Sequence, residues 1–443
     1  MFPVGLSLRR FPAWRAGASA ALAAALLLFS VPAVAQTPAA GSARLDAIAI
    51  AGSRFPSDQI AAAIGLRSGA NVTRDDLQSA ADRLAKLGLF ATVQYRFRTE
   101  DTGVRVDYQV SDAPAVPVYF DNFPWFSDEE LSAAIKSSVF LFDGAAPAQG
   151  AILDEMSDAL AKVLNARGVH GAVLHALVTL PSSGARVQEF RVEGATPKVG
   201  SVEFSDTLAN SDRGIQERLA DIVGKPFSRE AMETFEYEQV RPVYLAHGLL
   251  HVRFGAVAPR LEGGVKSDLP NQVNVVAAIE PGPAYAWNGI SWSGNTAMGV
   301  AELNALVTLQ PGQAADGNKI EGMWQALRDA YCKQGFLDAN VNAAPQFDEF
   351  GKRVTFAASV TEGPQYRMGQ LLLTGLSVDG ERRVRGAWKI PAGTIFDKSI
   401  YEAFLESGIK QAFAGTSLRY EKIGRFLQQD AQSGKVDVLL DFQ

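Results

Sequence analysis

Five glycines, each closing a helical pattern and opening an apolar strand-like run, punctuate this sequence. They are Gly88 in LAKLGLF, Gly168 in LNARGVH, Gly248 in YLAHGLL, Gly335 in YCKQGFL and Gly415 in QAFAGTS. Their separations are 80, 80, 87 and 80 residues. A fixed period of this kind is the signature of a repeat architecture, so the chain must be stabilised by repeated small cores. The recurrence has a mechanical cause, because helices commonly end on a residue with left-handed backbone, which glycine adopts without penalty.

The periodicity on either side of each glycine predicts the elements. Upstream, Leu77, Ala80, Ala81 and Leu84 share one helical face, as do Ile320, Met323, Trp324, Leu327 and Tyr331. The start of that helix carries a second spacing: Gly69/Val72/Thr73, Gly224/Phe227/Ser228, Gly312/Ala315/Asp316 and Gly393/Phe396/Asp397, the last member of each set being suited to an N-cap. The second repeat, with Gly144/Pro147/Ala148, departs from this pattern. Downstream, apolar residues alternate at Val104–Val110, Val273–Ile279, Val354–Val360 and Val436–Phe442, the mark of strands with one buried face. A shorter strand precedes each, for example Ala91–Thr99 and His251–Val257. Another opens each unit, at Leu45–Ala51, Val116–Phe120, Gly200–Phe204, Trp287–Trp292 and Met368–Thr374. The unit is therefore strand, helix, helix, strand, strand: an α+β design in which two helices cover one face of a three-stranded sheet.

The N-terminus reads as an address. Arg9, Arg10 and Arg15 precede an apolar run from Ala16 to Val31, and Ala33-Val34-Ala35 supplies the small-x-small pattern of a signal-peptide cleavage site. Cleavage after Ala35 would leave 408 of the 443 residues, which five such periods nearly fill. No other segment approaches ~18 consecutive apolar residues. With 42 basic against 48 acidic residues, the chain has no broad basic surface for nucleic acid. A single cysteine, Cys332, excludes an intramolecular disulfide.

Three features together resemble a known module: Ser293-Gly294-Asn295-Thr296 after an opening strand, the helix-end glycine before an apolar pair, and the junctions Glu280-Pro281-Gly282-Pro283-Ala284-Tyr285 and Glu362-Gly363-Pro364-Gln365-Tyr366. They are similar to POTRA domains, the polypeptide-transport-associated repeats in the periplasmic part of the BamA family of outer membrane protein assembly factors. The resemblance is strongest in the fourth and fifth repeats and weakest in the second. It implies a tandem array of five POTRA-like units at 44–113, 114–194 (atypical), 198–281, 284–363 and 366–443. In that family the array precedes a membrane β-barrel. A barrel needs many strands of ~9–11 residues, so none is expected in this sequence and one would be supplied by a separate chain.

The resemblance further implies a periplasmic scaffold, peripherally associated with the outer membrane. Its partners would be a separate outer-membrane barrel, assembly lipoproteins or unfolded outer-membrane clients. The second strand of each repeat would lie at a sheet edge and accept an incoming extended segment. The edges are expected at Val93–Phe97, Val173–Ala176, Val252–Ala256, Ala339–Asn342 and Leu418–Glu421, with Val93, Tyr95, Phe97, Val252, Phe254, Leu418 and Tyr420 as the contact candidates. A structural or division-related envelope protein is the alternative.

Catalytic and metal chemistry find no foothold in the sequence. His247 and His251 flank Gly248, and His170 and His175 lie around a strand, neither pair at a metal-binding interval. Cys332 sits beside Tyr331 near a core-facing row. Asp75-Asp76 and Glu129-Glu130 fall at helix starts, where negative charge is favoured without any chemistry. No metal, cofactor or enzymatic activity is expected. One local feature stands apart. Tyr119, Phe120, Phe123, Trp125 and Phe126 crowd around Pro124, more aromatics than one small core readily hides, so Phe123, Trp125 and Phe126 are expected to form an exposed patch.

Overall fold

The computed structural model describes residues 42–100, 103–194, 197–261, 272–416 and 420–443. The signal peptide expected over residues 1–35 lies outside the described residues. The α+β fold class read from the sequence is observed. In the first group of elements, strand Ala43–Ala51 runs parallel to Val104–Asp112, which pairs antiparallel with Phe90–Thr99 on its other side. A parallel pair needs a crossover, and helices Ser57–Ile64 and Arg74–Leu87 supply it. The same arrangement recurs with Ala115–Phe120, Arg186–Glu193 and Ala172–Thr179, then with Lys198–Phe204, Gln272–Ala277 and Ala258–Leu261. It recurs again with Ala286–Ser293, Arg353–Thr361 and Asn340–Asp348, and with Arg367–Thr374, Lys435–Phe442 and Ile423–Asp430. The middle strand of each sheet buries its alternate residues under the helices. Val104, Val106, Tyr108 and Val110 are buried in the first sheet, and Val436, Val438, Leu440 and Phe442 in the last.

Two of the sheets are wider than three strands. Asn71–Val72 pairs with Ala43–Arg44, and Ala145–Pro147 pairs with Ala115–Pro117, each adding a short fourth strand. Elsewhere the same contact shrinks to a single bridge, Lys198 to Pro226, Ala286 to Ala314 and Arg367 to Ile395. Here the glycine spacing finds its cause. One opening-strand residue exchanges two backbone hydrogen bonds with the turn before the second helix. Leu45 does so with Gly69 and Ala70, Val199 with Gly224 and Lys225, Trp287 with Gly312 and Gln313, and Met368 with Gly393 and Thr394. The clasp ties the opening strand to the helix start, and the cap follows at once: Thr73, Ser228, Asp316 and Asp397 each accept a hydrogen bond from a first-turn N–H.

The second group breaks the pattern. Its long helix does not start near Ala148 but at Ile152, with no side-chain cap. Instead the Ala151 N–H donates to the Lys86 carbonyl of the preceding group, 2.8 Å away. The approach is close enough that a Cβ on Gly88 would fall 1.8 Å from the Gln149 carbonyl oxygen. The first two sheets accordingly share one apolar core running from Leu45 to Val192, whereas the later sheets have their own. The later joints are made by the helix-end glycines. The Gly248 carbonyl accepts from Tyr285 N–H at 2.9 Å, and the Gly335 carbonyl from Tyr366 N–H at 2.8 Å. Both tyrosine rings are buried, and their hydroxyls donate to Glu349 and Asp338, each at 2.7 Å.

Candidate partner-binding edges and a buried polar joint

In each of the five sheets the antiparallel strand beside the middle strand is paired on a single side among the described residues, and these are the candidate binding edges. Val93, Tyr95 and Phe97 lie in Phe90–Thr99, which among the described residues pairs only with Val104–Asp112. Val93 and Tyr95 lean against the core, the Tyr95 hydroxyl donating to Gln78, while Phe97 is 40% exposed. Residues 173–176 fall within the edge strand Ala172–Thr179, and residues 340–342 within Asn340–Asp348.

Two expected edges need correction. The strand expected over His251–Val257 is broken: Arg253–Phe254 pairs with Ile279–Glu280, and the chain kinks before resuming as Ala258–Leu261. The kink exists because Val257 turns inward and is buried, while the Gly255 N–H is taken by the Ala278 carbonyl. Val252 therefore precedes the short strand, and both it and Phe254 pack against the core formed around Tyr244 and Ile279. At the last edge, Leu418 lies outside the described residues. Tyr420 is not on a strand but packs between Phe413 and Phe442, with ring centroids 5.6 and 5.7 Å away. The edge strand proper is Ile423–Asp430, five residues later than expected.

The aromatic patch is also overturned. Phe123 is 1% and Trp125 8% exposed. Phe126 is half-buried beneath the Arg167 guanidinium, which stands 4.4 Å from its ring centroid and donates to the Trp125 carbonyl. Phe123 meets Phe120 edge-on at 5.8 Å. The aromatics exceed what one small core can hide, but the core they enter serves two sheets.

A buried polar joint emerges where the second sheet meets the helix Arg229–Phe235. Asp121 Oδ1 accepts from the Ser228 hydroxyl at 2.8 Å and from the Glu230 N–H at 2.9 Å. Arg229 forms a bidentate pair with Asp128 at 2.8 and 3.0 Å, and its guanidinium stands 5.8 Å from the Tyr119 ring centroid. The contact covers the sheet face turned away from its own helices, so Glu189 is 4% exposed. Burial raises the pKa of Glu189 and Glu233 and pushes Glu236 up to about 8, the last reinforced by the neighbouring Glu233 charge. Burial also raises the Tyr119 phenol, with the Glu233 and Asp121 charges adding to it. Glu236 is 2% exposed, one of its carboxyl oxygens has no hydrogen-bond partner, and it begins a π-helical turn, Glu236–Val240. Such a turn commonly marks a local functional constraint. Sequence reasoning missed this joint. The one available signal was Ser228, read as a cap for its own helix only.

Among the described residues no group of three or more His, Cys, Asp and Glu is placed to hold a metal ion. His251 instead packs on Phe347 and Tyr285, ring centroids 4.3 and 5.3 Å away. Cys332 is buried, and burial raises its thiol pKa. No helix among the described residues is long and apolar enough to cross a membrane.

Comparison with known proteins places these sheets. The POTRA family model, described as surface antigen variable number repeat, matches residues 43–112 and 285–363. A Treponema pallidum (strain Nichols) protein named "Putative outer membrane protein assembly factor" is 23% identical over 224 residues, 49% of this chain and 26% of that protein. The match thus spans about a quarter of the relative's length. Among solved structures, POTRA domains 3–5 of Haemophilus influenzae BamA align with 56% of this chain and 96% of their own, at 19% identity and a TM-score of 0.44. The N-terminal domain of Omp85 from Thermosynechococcus elongatus aligns over 56% of this chain and 98% of its own, at 13% identity and a TM-score of 0.24. The family's repeat thus matches this chain at residues 43–112 and 285–363, on two sheets whose helix crossover joins two parallel strands.

Proposed function

We propose that the chain is a non-catalytic periplasmic scaffold in outer-membrane protein assembly or transport, which binds partner proteins or unfolded clients by strand addition to its sheet edges. The observation that carries this reading is the strand Phe90–Thr99, paired along one side with residues 104–112 and along the other with nothing among the described residues. An extended segment can complete such a ladder through backbone hydrogen bonds with little demand on sequence. The likeness to an assembly factor supports the same direction. The reading divides the chain into POTRA-like units at 44–113, 114–194, 198–281, 284–363 and 366–443. It takes residues 1–35 as a signal peptide cleaved after Ala35, and it places the mature protein peripherally at the outer membrane. Its partners are then a separate outer-membrane barrel, assembly lipoproteins or unfolded clients.

The test is affinity capture of the mature protein from gently solubilised envelopes, in parallel with proline placed at Gln94 and, separately, at Tyr95. Neighbouring residues of an antiparallel strand point their N–H groups alternately inward and outward, so one of the two prolines blocks the free edge and spares the sheet. Recovery of a barrel or its lipoproteins, lost in that variant alone, is the expected result. Recovery of only division or cell-wall proteins would sink the reading.

A further inference from the structure

The sheet of Arg367–Thr374, Lys435–Phe442 and Ile423–Asp430 carries an apolar row on the side away from its helices. Leu372 and Phe426 both pair with Leu439, one in the parallel and one in the antiparallel register, so the three side chains stand abreast. Leu372 is 39% and Phe426 55% exposed. None of the three belongs to the core beneath the sheet. At its Leu372 end the row runs into an open cleft lined by Leu371, Trp388, Ile390 and Pro391. Corresponding rows elsewhere carry less apolar surface: Ala49, Asp107 and Arg96 in the first sheet, Glu203, Val276 and Ala258 in the third, Ser291, Ala357 and Ala344 in the fourth.

The molecule itself shows what covers such a face. On the second sheet the corresponding row is Tyr119, Glu189 and Ala176, and the helix starting at Arg229 lies against it, burying Glu189. The charges around the apolar row say which kind of helix would suit it. Asp437 and Asp441 stand two positions to either side of Leu439 on the middle strand. They are held by the Gln370 N–H and the Thr374 hydroxyl, each at 2.6 Å. Lys435 lies a row beyond Asp437, opposite Arg367 and Asp430, and Arg385, which lines the cleft, is paired with Glu381 at 2.8 Å, which leaves the two carboxylates as the charges bordering the row on the sheet itself. Two positions along a strand are roughly 6–7 Å, and a helix with its side chains is about 10–12 Å across. A helix laid along the row therefore reaches both carboxylates.

We propose that this face docks an amphipathic helix of a partner protein, its apolar stripe on Leu372, Leu439 and Phe426 and its flanking lysines or arginines over Asp437 and Asp441. The proposal adds a second surface to the strand-addition reading, and a failure of either leaves the other standing. The experiment titrates the full mature chain against a labelled synthetic helix of about 18 residues with a leucine stripe flanked by lysines, and against the same helix flanked by glutamates, reading fluorescence anisotropy. The lysine helix is expected to bind about ten-fold tighter than the glutamate helix, and Phe426→Asp to weaken it by about ten-fold. The double substitution Asp437→Lys/Asp441→Lys is expected to reverse the preference, an outcome that loss of folding cannot mimic. Equal binding of the two helices, or binding indifferent to Phe426→Asp, would overturn the proposal. So would self-association of the chain that Phe426→Asp abolishes without any helix binding, which would assign the face to a second copy.

Discussion

The Ser228 hydroxyl donates to the Asp121 carboxylate across 107 positions of sequence, at 2.8 Å. The same carboxylate oxygen accepts the Glu230 N–H, so one aspartate from the second sheet takes up part of the first turn of a helix belonging to the third. A helix start whose donors are satisfied by a neighbouring sheet is anchored to that sheet.

Asp121→Ala should therefore loosen this joint and leave the remote sheets alone. Losing two hydrogen bonds to a buried carboxylate costs about 1–3 kcal/mol. Faster amide hydrogen exchange over residues 229–246, with unchanged exchange over residues 367–374 and 435–442, is the expected pattern. Uniform acceleration along the chain would contradict it.

The carboxyls behind the joint make it sensitive to pH. Glu236 holds its proton up to about 8 because it is buried and Glu233 lies nearby, while the unfolded chain releases that proton near its ordinary value of 4.5. Between those two values the folded form binds more protons than the unfolded form, so stability falls as pH rises. The contribution is fully present below 4.5 and gone above about 8; Glu189 and Glu233, also raised by burial, act in the same direction. Residues 229–246 should exchange faster at pH 8 than at pH 5.5, after correction for intrinsic exchange. Glu236→Gln should remove most of that difference; a variant retaining it in full would exonerate Glu236.

What could be read in advance was whatever depended on residues near one another in sequence. Val436, Val438, Leu440 and Phe442 announce their strand because alternation with one buried face is a local property. Thr73, Ser228, Asp316 and Asp397 were legible as caps for the same reason. Trp125 was misread because its burial depends on a core shared with another sheet, which no local count of aromatics reveals. The break at Gly255 is set by the Ala278 carbonyl, which lies between the strands Gln272–Ala277 and Ile279–Glu280 and far along the chain. Asp121 carried no sign of its partner at all. Of the candidate edges, residues 93–97, 173–176 and 340–342 lie on edge strands, whereas the one at 252–256 is broken and the one at 418–421 gives way to the strand Ile423–Asp430.

Two glycines with the same backbone conformation should respond differently to a methyl group. Gly393, in the clasp with Met368, has φ 82° and would place a Cβ in open space. Gly375, just after the opening strand, has φ 78°, but its Cβ would fall 1.7 Å from the Phe442 carbonyl oxygen. Gly393→Ala should cost only the left-handed strain of about 1–2 kcal/mol, whereas Gly375→Ala must also push the middle strand away. Exchange over residues 367–443 should accelerate modestly in the first variant and far more in the second. Equal effects would mean that the close approach at Gly375 is not a constraint.

The shared core of the first two sheets predicts a cooperative unit of double size. Phe123 follows the opening strand of the second sheet and Leu77 lies in a helix of the first, yet both lie in one continuous cluster, at 1% and 3% exposure. Truncating a buried phenylalanine to alanine costs about 3–5 kcal/mol through lost burial and the cavity left behind. Phe123→Ala should therefore raise exchange over residues 43–100 together with 115–193, and Leu77→Ala should do the same. Val438→Ala, in a separate core, should loosen residues 367–443 alone. If Phe123→Ala left residues 43–100 protected as before, the two sheets would be independent units in contact, and the close packing of Gly88 on Gln149 and Gly150 would be a joint between them.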